Sequence, residues 1–278
     1  MTQDFKNKIL ASIKKGGFTT ELKVSKLLNK RDWLTLNNYI YFDKDKKVNR
    51  EIDFYCIRSA KNNSFSKLQL KIYLTIEVKK SEKYPWVFFV TKNEPTTLEH
   101  GLFSLTAFKN INLDITENLF NDYPRQKSRY VSTNHTEAFR ETEVSNIYKA
   151  VESATKATYY FHSTNELTKR KKGTPDEDYA NDLFVPIDPK LSSQLSIFIP
   201  LIVFEGTLMN AVLNKNSELD IEETKYVPYE SYYIDDEGIE HFYAVDIIHL
   251  DYLNKYLLEI EKWLDKLGER ILNVRPNS

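Results

Sequence analysis

Arg50-Glu51-Ile52-Asp53-Phe54-Tyr55-Cys56 and, after a polar gap, Leu74-Thr75-Ile76-Glu77-Val78-Lys79-Lys80-Ser81 are the two stretches on which the fold turns. Both read as strands. Around the second, Leu70, Ile72, Leu74, Ile76 and Val78 alternate with Lys71, Tyr73, Thr75, Glu77 and Lys79, a period of two that sends neighbouring side chains to opposite faces of a sheet. Glu77 and Lys79 therefore share a face. If the first run pairs beside it, Asp53 approaches Glu77, and two carboxylates next to an ammonium form a seat for a divalent cation and a water. That arrangement points to metal-dependent phosphodiester cleavage.

Outward from this pair, Asp4 to Lys14 predicts a short helix ended by Gly16-Gly17, and a second helix follows in which Thr19 or Thr20 caps and Val24, Leu27 and Leu28 recur at helical spacing. Tyr39 to Phe42 and a Lys/Asp-rich turn predict a hairpin feeding the Asp53 strand. Pro85 in Tyr84-Pro85-Trp86 argues against uninterrupted strand pairing there. Residues 91–140 mix aromatics with Asn, Asp and Thr and read as short helices and loops, whereas Val144 to Phe161 reads as a helix. Ser196 to Phe204 and Thr207 to Leu213 read as two strands joined across Glu205-Gly206 in a tight hairpin. Strands near Tyr226 to Tyr233 and Phe242 to Ile248 follow. The closing helix carries Leu250, Leu253, Leu257, Ile260, Leu264, Leu267 and Ile271 in steps of three and four, a stripe that packs on its own sheet or serves as a dimer seam.

The 278 residues fit one large mixed domain, with a motif-bearing core at 17–90 and an extension over 91–278. A hydrophobic fraction of 41% with 28% charged residues supplies a core and places the chain in the water-soluble globular class. Apolar runs such as Ser196 to Phe204 fall well short of the roughly 20 residues of a membrane helix, and the N-terminus has no apolar signal core, so a cytoplasmic location is expected. Cys56 is the single cysteine; disulfides within the chain and multi-cysteine zinc sites are excluded, and a buried, unreactive thiol is expected. His100, His135, His162, His241 and His249 lack paired ligand spacing, and no Gly-rich phosphate loop occurs, which argues against zinc hydrolases and NTPases. The net charge of −1 argues against a protein that coats nucleic acid; Lys169 to Lys172 reads as a solvated loop or a run that tracks a phosphate backbone, and Arg125, Lys127 and Arg129 read as a solvated stretch or a basic edge.

The order of parts, a helix bearing Glu21, a strand with Asp53, a strand with Glu77-Val78-Lys79, then further helix and strand, resembles the PD-(D/E)xK superfamily of restriction-endonuclease-like nucleases. The resemblance spans about Gly17 to Phe89, roughly a quarter of the chain, and Ile52 stands where the nominal proline would be. It implies an α/β fold, a mixed β-sheet flanked by helices, here with a large C-terminal elaboration. It also implies a Mg²⁺-dependent nuclease, with Mn²⁺ as substitute, acting on nucleic acid and mostly on DNA, in defence or repair. On this resemblance Asp53, Glu77 and the Val78 carbonyl hold the metal, and Lys79 lowers the pKa of the attacking water, orients it, or steadies charge on the phosphorane. Glu21 binds a second metal, holds a water from the outer shell, or simply favours the helix dipole. Lys80 points to the opposite face, and Trp86 is a core or wall residue or a base-stacking platform. A double-strand cutter would be a homodimer with one site per strand. Two other classes compete: a catalytically inactive module that binds nucleic acid or a protein partner on the same sheet, and an interaction protein assembled through the closing helix, which charges at Leu257 and Leu264 would dissociate.

Overall fold

The computed structural model describes residues 2–60, 68–92, 105–109, 120, 122–140, 145–165, 193–234, 238 and 240–273. Two helices come first, α1 (Gln3–Lys15) and α2 (Phe18–Lys30), divided at Gly16 and Gly17. The meander β1 (Leu34–Asp43), β2 (Val48–Ser59) and β3 (Leu68–Lys92) follows, with β1–β2 and β2–β3 both antiparallel. Next come β4 (Thr106–Lys109), a 3₁₀ turn at Pro124–Lys127, β5 (Tyr130–Glu137) and α3 (Asn146–Thr164). The chain then forms β6 (Ser193–Leu213), β7 (Leu219–Glu223), β8 (Tyr226–Ile234), β9 (Glu240–His249) and α4 (Leu253–Asn273). The fold is thus mixed α/β, a large mixed sheet flanked by helices.

Two long strands organise the sheet. β6 runs parallel to β3 from Leu68↔Ser193 to Phe89↔Ala211, and each strand serves several partners in succession on its other edge. β3 pairs β2 as far as Ile76 and β5 from Trp86 onward. β6 pairs β4, then β9, then β7. Because β8 joins β9 to β5, strands β3, β5, β8, β9 and β6 close into a ring at the distal end.

Alternation along β3 decides what covers each face. Leu70, Ile72, Leu74, Ile76 and Val78 enter a cluster with Val24 and Leu28 of α2 and Leu257, Ile260, Trp263, Leu264, Leu267 and Ile271 of α4. Tyr73 enters the opposite cluster with Ile147, Ala150, Ala154, Ala157 and Phe161 of α3, and Trp86 joins that cluster beyond the irregularity between Ser81 and Trp86. The closing helix therefore spends its stripe on its own sheet, with Leu257 and Leu264 no more than 1% exposed, and the dimer-seam reading of those positions is overturned. At about 1.5–3 kcal/mol for each buried leucine or isoleucine, intramolecular packing outweighs any use as an outer seam.

One local expectation is corrected and another is met. Residues 196–213 form no hairpin; β6 is continuous through Glu205-Gly206, and the hairpin lies at Asn214–Glu218, leading into β7. Gly206 serves close approach rather than a turn, since a Cβ there would overlap the Ser81 carbonyl oxygen and lie 2.6 Å from Phe204 Cζ. At Pro85 the expected interruption is present: the chain stays extended through β3, but the β3–β6 pairing lapses and its register slips between Ser81 and Trp86, where a residue without an N–H sits. On β2, Phe54 and Cys56 pack on the α4 side, whereas Ile52 packs on the α3 side with Tyr41. Opposite this switch Asn38 adopts a left-handed φ of 50°, between the pairs Asn37↔Phe54 and Tyr39↔Ile52. Among the described residues no helix is long and apolar enough to cross a membrane.

Candidate active site

Between Ile76 and Trp86 the β2-side edge of β3 has no strand partner among the described residues, because β2 has left and β5 has not yet joined. Glu77, Val78 and Lys79 lie in this gap. Asp53 is the residue one step beyond the last β2–β3 pair, Phe54↔Ile76, and so comes level with Glu77. Its Oδ2 accepts the Val78 N–H at 2.6 Å, replacing the backbone bond that a continuing ladder would make. The N–H and C=O of one strand residue point to the same side, so the Val78 carbonyl faces the Asp53 edge as well.

Glu77 is 8% exposed, on the face covered by α3. One carboxylate oxygen, Oε1, is paired with the Lys79 ammonium. The other, Oε2, accepts the Ser153 hydroxyl of α3 at 2.9 Å. Helix α3 lies close to the sheet because its inner positions are Ala150, Ala154 and Ala157, all fully buried, and Thr75 hydrogen-bonds the Ala154 carbonyl at 3.4 Å. Tyr41 of β1 stands beside this group: burial raises its hydroxyl pKa first, with Ser153, Arg50, Asp43 and Glu77 all close enough to act on it.

Burial is the first cause raising the carboxyl pKa values of Asp53 and Glu77 above the ordinary range. For Glu77 the Lys79 ammonium opposes the rise and Asp53 adds to it; for Asp53 the Val78 N–H and Lys79 oppose it. Glu21 is raised by burial and then by Asp53, with Lys79 again opposing, so α2 brings this third acid within electrostatic reach. That placement is secured by Glu205 of β6, which accepts hydrogen bonds from Thr20 and from Lys23, the latter at 2.5 Å.

Asp53, Glu77 and Lys79 thus lie beside one another, with Glu21 of α2 within electrostatic reach. Among the described residues, no three His, Cys, Asp or Glu side chains converge closely enough to hold a metal by themselves. Here Lys79 and Ser153 engage Glu77, and the Val78 N–H engages Asp53. Ser153 and Tyr41 were not legible as site residues from the chain alone. The available signal for Ser153 was a hydroxyl set within the alanine stripe of a helix.

Other sequence candidates fall elsewhere. Trp86 is fully buried and stacks on Phe204 with ring centroids 4.0 Å apart, which removes it as a base platform. Burial pushes the Cys56 thiol up to about 12, leaving it inert at neutral pH. Arg125 is no basic edge. It is fully buried, donating to Asp246 at 3.1 Å and to the Val245 carbonyl at 2.6 Å, while Tyr123, Tyr226 and Tyr256 also donate to Asp246. His135 hydrogen-bonds the Tyr229 hydroxyl, and His249 accepts the Asp251 N–H. Lys169 to Lys172 and His100 lie outside the described residues.

The fold and site together define an α/β protein with a buried Glu77, a half-buried Asp53 and a lysine at the point where two strands part. No protein-family model matches the chain, and no curated protein or solved structure matches it significantly.

Proposed function

We propose that this chain is a metal-dependent nuclease of restriction-endonuclease-like architecture that hydrolyses phosphodiester bonds, with DNA as substrate. The observation that carries the reading is the convergence of Asp53, Glu77 and Lys79 in the gap where β2 leaves β3. The opening succession α2, β1, β2, β3 accords with the order of parts in the resemblance; β4 and β5 are inserted before α3 and the parallel partner strand β6. The donor set suits Mg²⁺ or Mn²⁺: hard oxygens of half-buried Asp53 and buried Glu77, the Val78 carbonyl on the same edge, and a repulsion of Asp53 on Glu77 that a cation would offset. When bound, the ion would supply Lewis-acid activation of a water and of a phosphoryl oxygen.

The protein groups do the remaining work. Lys79, on the Glu77 face and 31% exposed, presents an ammonium to the attacking water or to charge developing on the phosphorus oxygens. Ser153 fixes one Glu77 oxygen, and Glu21 adds negative charge from the α2 side. A cytoplasmic location and a role in defence or repair go with this reading.

A second reading has one observation in its favour. The Lys79–Glu77 ion pair and the Val78–Asp53 hydrogen bond satisfy the carboxylates without a cation, as an inactive module binding nucleic acid or a protein partner would require. Mn²⁺ titration by calorimetry separates the two. The nuclease reading predicts binding that Asp53→Ala and Glu77→Ala each abolish; no binding to the wild-type protein refutes it and favours the inactive module.

A further inference from the structure

The two oxygens of Glu77 are held by partners of different character. Ser153 Oγ reaches Oε2 at 2.9 Å from a helix whose Ala150, Ala154 and Ala157 are fully buried against the sheet, so this contact is fixed by the packing of α3. Lys79 reaches Oε1 from the same strand, on a flexible four-carbon stem that is 31% exposed. On Asp53, Oδ2 is tied to a backbone N–H. An ammonium therefore sits at the exchangeable oxygen of Glu77, and the two acids keep one oxygen each under rigid control.

Resting on the reading of this cluster as a cation site, we propose that Lys79 is a resident stand-in for the cation. Loading by a divalent ion displaces its ammonium from Glu77 Oε1, while Ser153 holds Oε2 as the pivot. Exchange couples loading to readiness, because the ammonium becomes available to water or phosphate only when the ion has taken its place. Ser153 is in this scheme a positioning residue. Its effect passes through Glu77.

The test uses the full chain without nucleic acid. Amine labelling of Lys79, read by mass spectrometry, should rise several-fold when Mg²⁺ is added, and should not rise in Asp53→Ala. In calorimetry Lys79→Met should bind Mn²⁺ roughly tenfold more tightly than the wild type, since the ion no longer displaces a charge-assisted hydrogen bond. Ser153→Ala should bind several-fold more weakly, and Ser153→Thr should recover most of the loss. Unchanged Lys79 labelling with Mg²⁺ shown to be bound overturns the exchange, as does equal or weaker Mn²⁺ binding by Lys79→Met. If Asp53→Ala abolishes binding while Lys79→Met leaves it unchanged, the stand-in role fails and the cation site stands. If neither wild type nor Lys79→Met binds Mn²⁺, both fail.

Discussion

The β3–β6 contact that carries Glu77 and Lys79 can be tested with two glycines given the same substitution. An alanine at Gly206 places its Cβ 2.6 and 2.9 Å from Phe204 Cζ and Cε1, and nearer still to the Ser81 carbonyl oxygen. Ordinary carbon contact needs about 3.5 Å, so something must move by close to 1 Å. Phe204 has little room, because it stacks on the fully buried Trp86 at a 4.0 Å centroid separation. The Ser81 carbonyl belongs to a paired strand. Overpacking at such a site costs about 3 kcal/mol, the upper part of the usual range. Gly268, inside α4, is the opposite case: its added Cβ would meet Leu70 Cδ2 at 3.6 Å and Ala60 Cβ at 3.9 Å, both ordinary contacts. Helix propensity alone then favours alanine by about 1 kcal/mol. Urea unfolding followed by the fluorescence of buried Trp33, Trp86 and Trp263 should separate Gly206→Ala from Gly268→Ala by about 4 kcal/mol, on opposite sides of wild type. A Gly206→Ala protein within about 0.5 kcal/mol of wild type would refute the close β3–β6 approach.

Asp246→Ala removes the carboxylate that accepts from Arg125 Nε and from three tyrosine hydroxyls, breaking a buried ion pair; unfolding free energy should fall by about 3–5 kcal/mol, and a loss below 1 kcal/mol would contradict the network. Leu264→Lys buries a charge in the α4 contact and should unfold the protein by circular dichroism, whereas a folded chain of changed oligomeric state in sedimentation would revive the dimer seam. Burial raises the Glu77 carboxyl pKa above its unfolded value, so between the two values the folded state holds more protons and stability falls as pH rises. In EDTA, Glu77→Gln should therefore gain on wild type as pH is raised from about 4.5 to 8, and a constant or shrinking difference would contradict the assigned shift.

Much of the site was legible because strand alternation is strict: Glu77 and Lys79 share a face whatever the rest of the chain does, and Asp53 needed only antiparallel pairing to reach them. The α4 stripe was legible for the same reason, at helical period, although its partner was not. Gly206 misled because glycine commonly marks a turn, and its actual cause, a carbonyl on a strand more than a hundred residues earlier, leaves no local trace. Arg125 misled similarly, since its partner Asp246 is 121 residues away in the chain. Ser153 left only the trace of a hydroxyl within an alanine stripe, which does not say what it faces; the docking of α3 sets it on Glu77.

The central claim is tested most directly by incubating the protein with supercoiled plasmid, linear duplex and single-stranded DNA in Mg²⁺ or Mn²⁺. EDTA and Lys79→Ala serve as paired controls. The account predicts cutting of at least one form that both controls abolish. Cutting that survives Lys79→Ala would contradict the assigned site, and no cutting of any form, together with no Mn²⁺ binding, would contradict the nuclease itself.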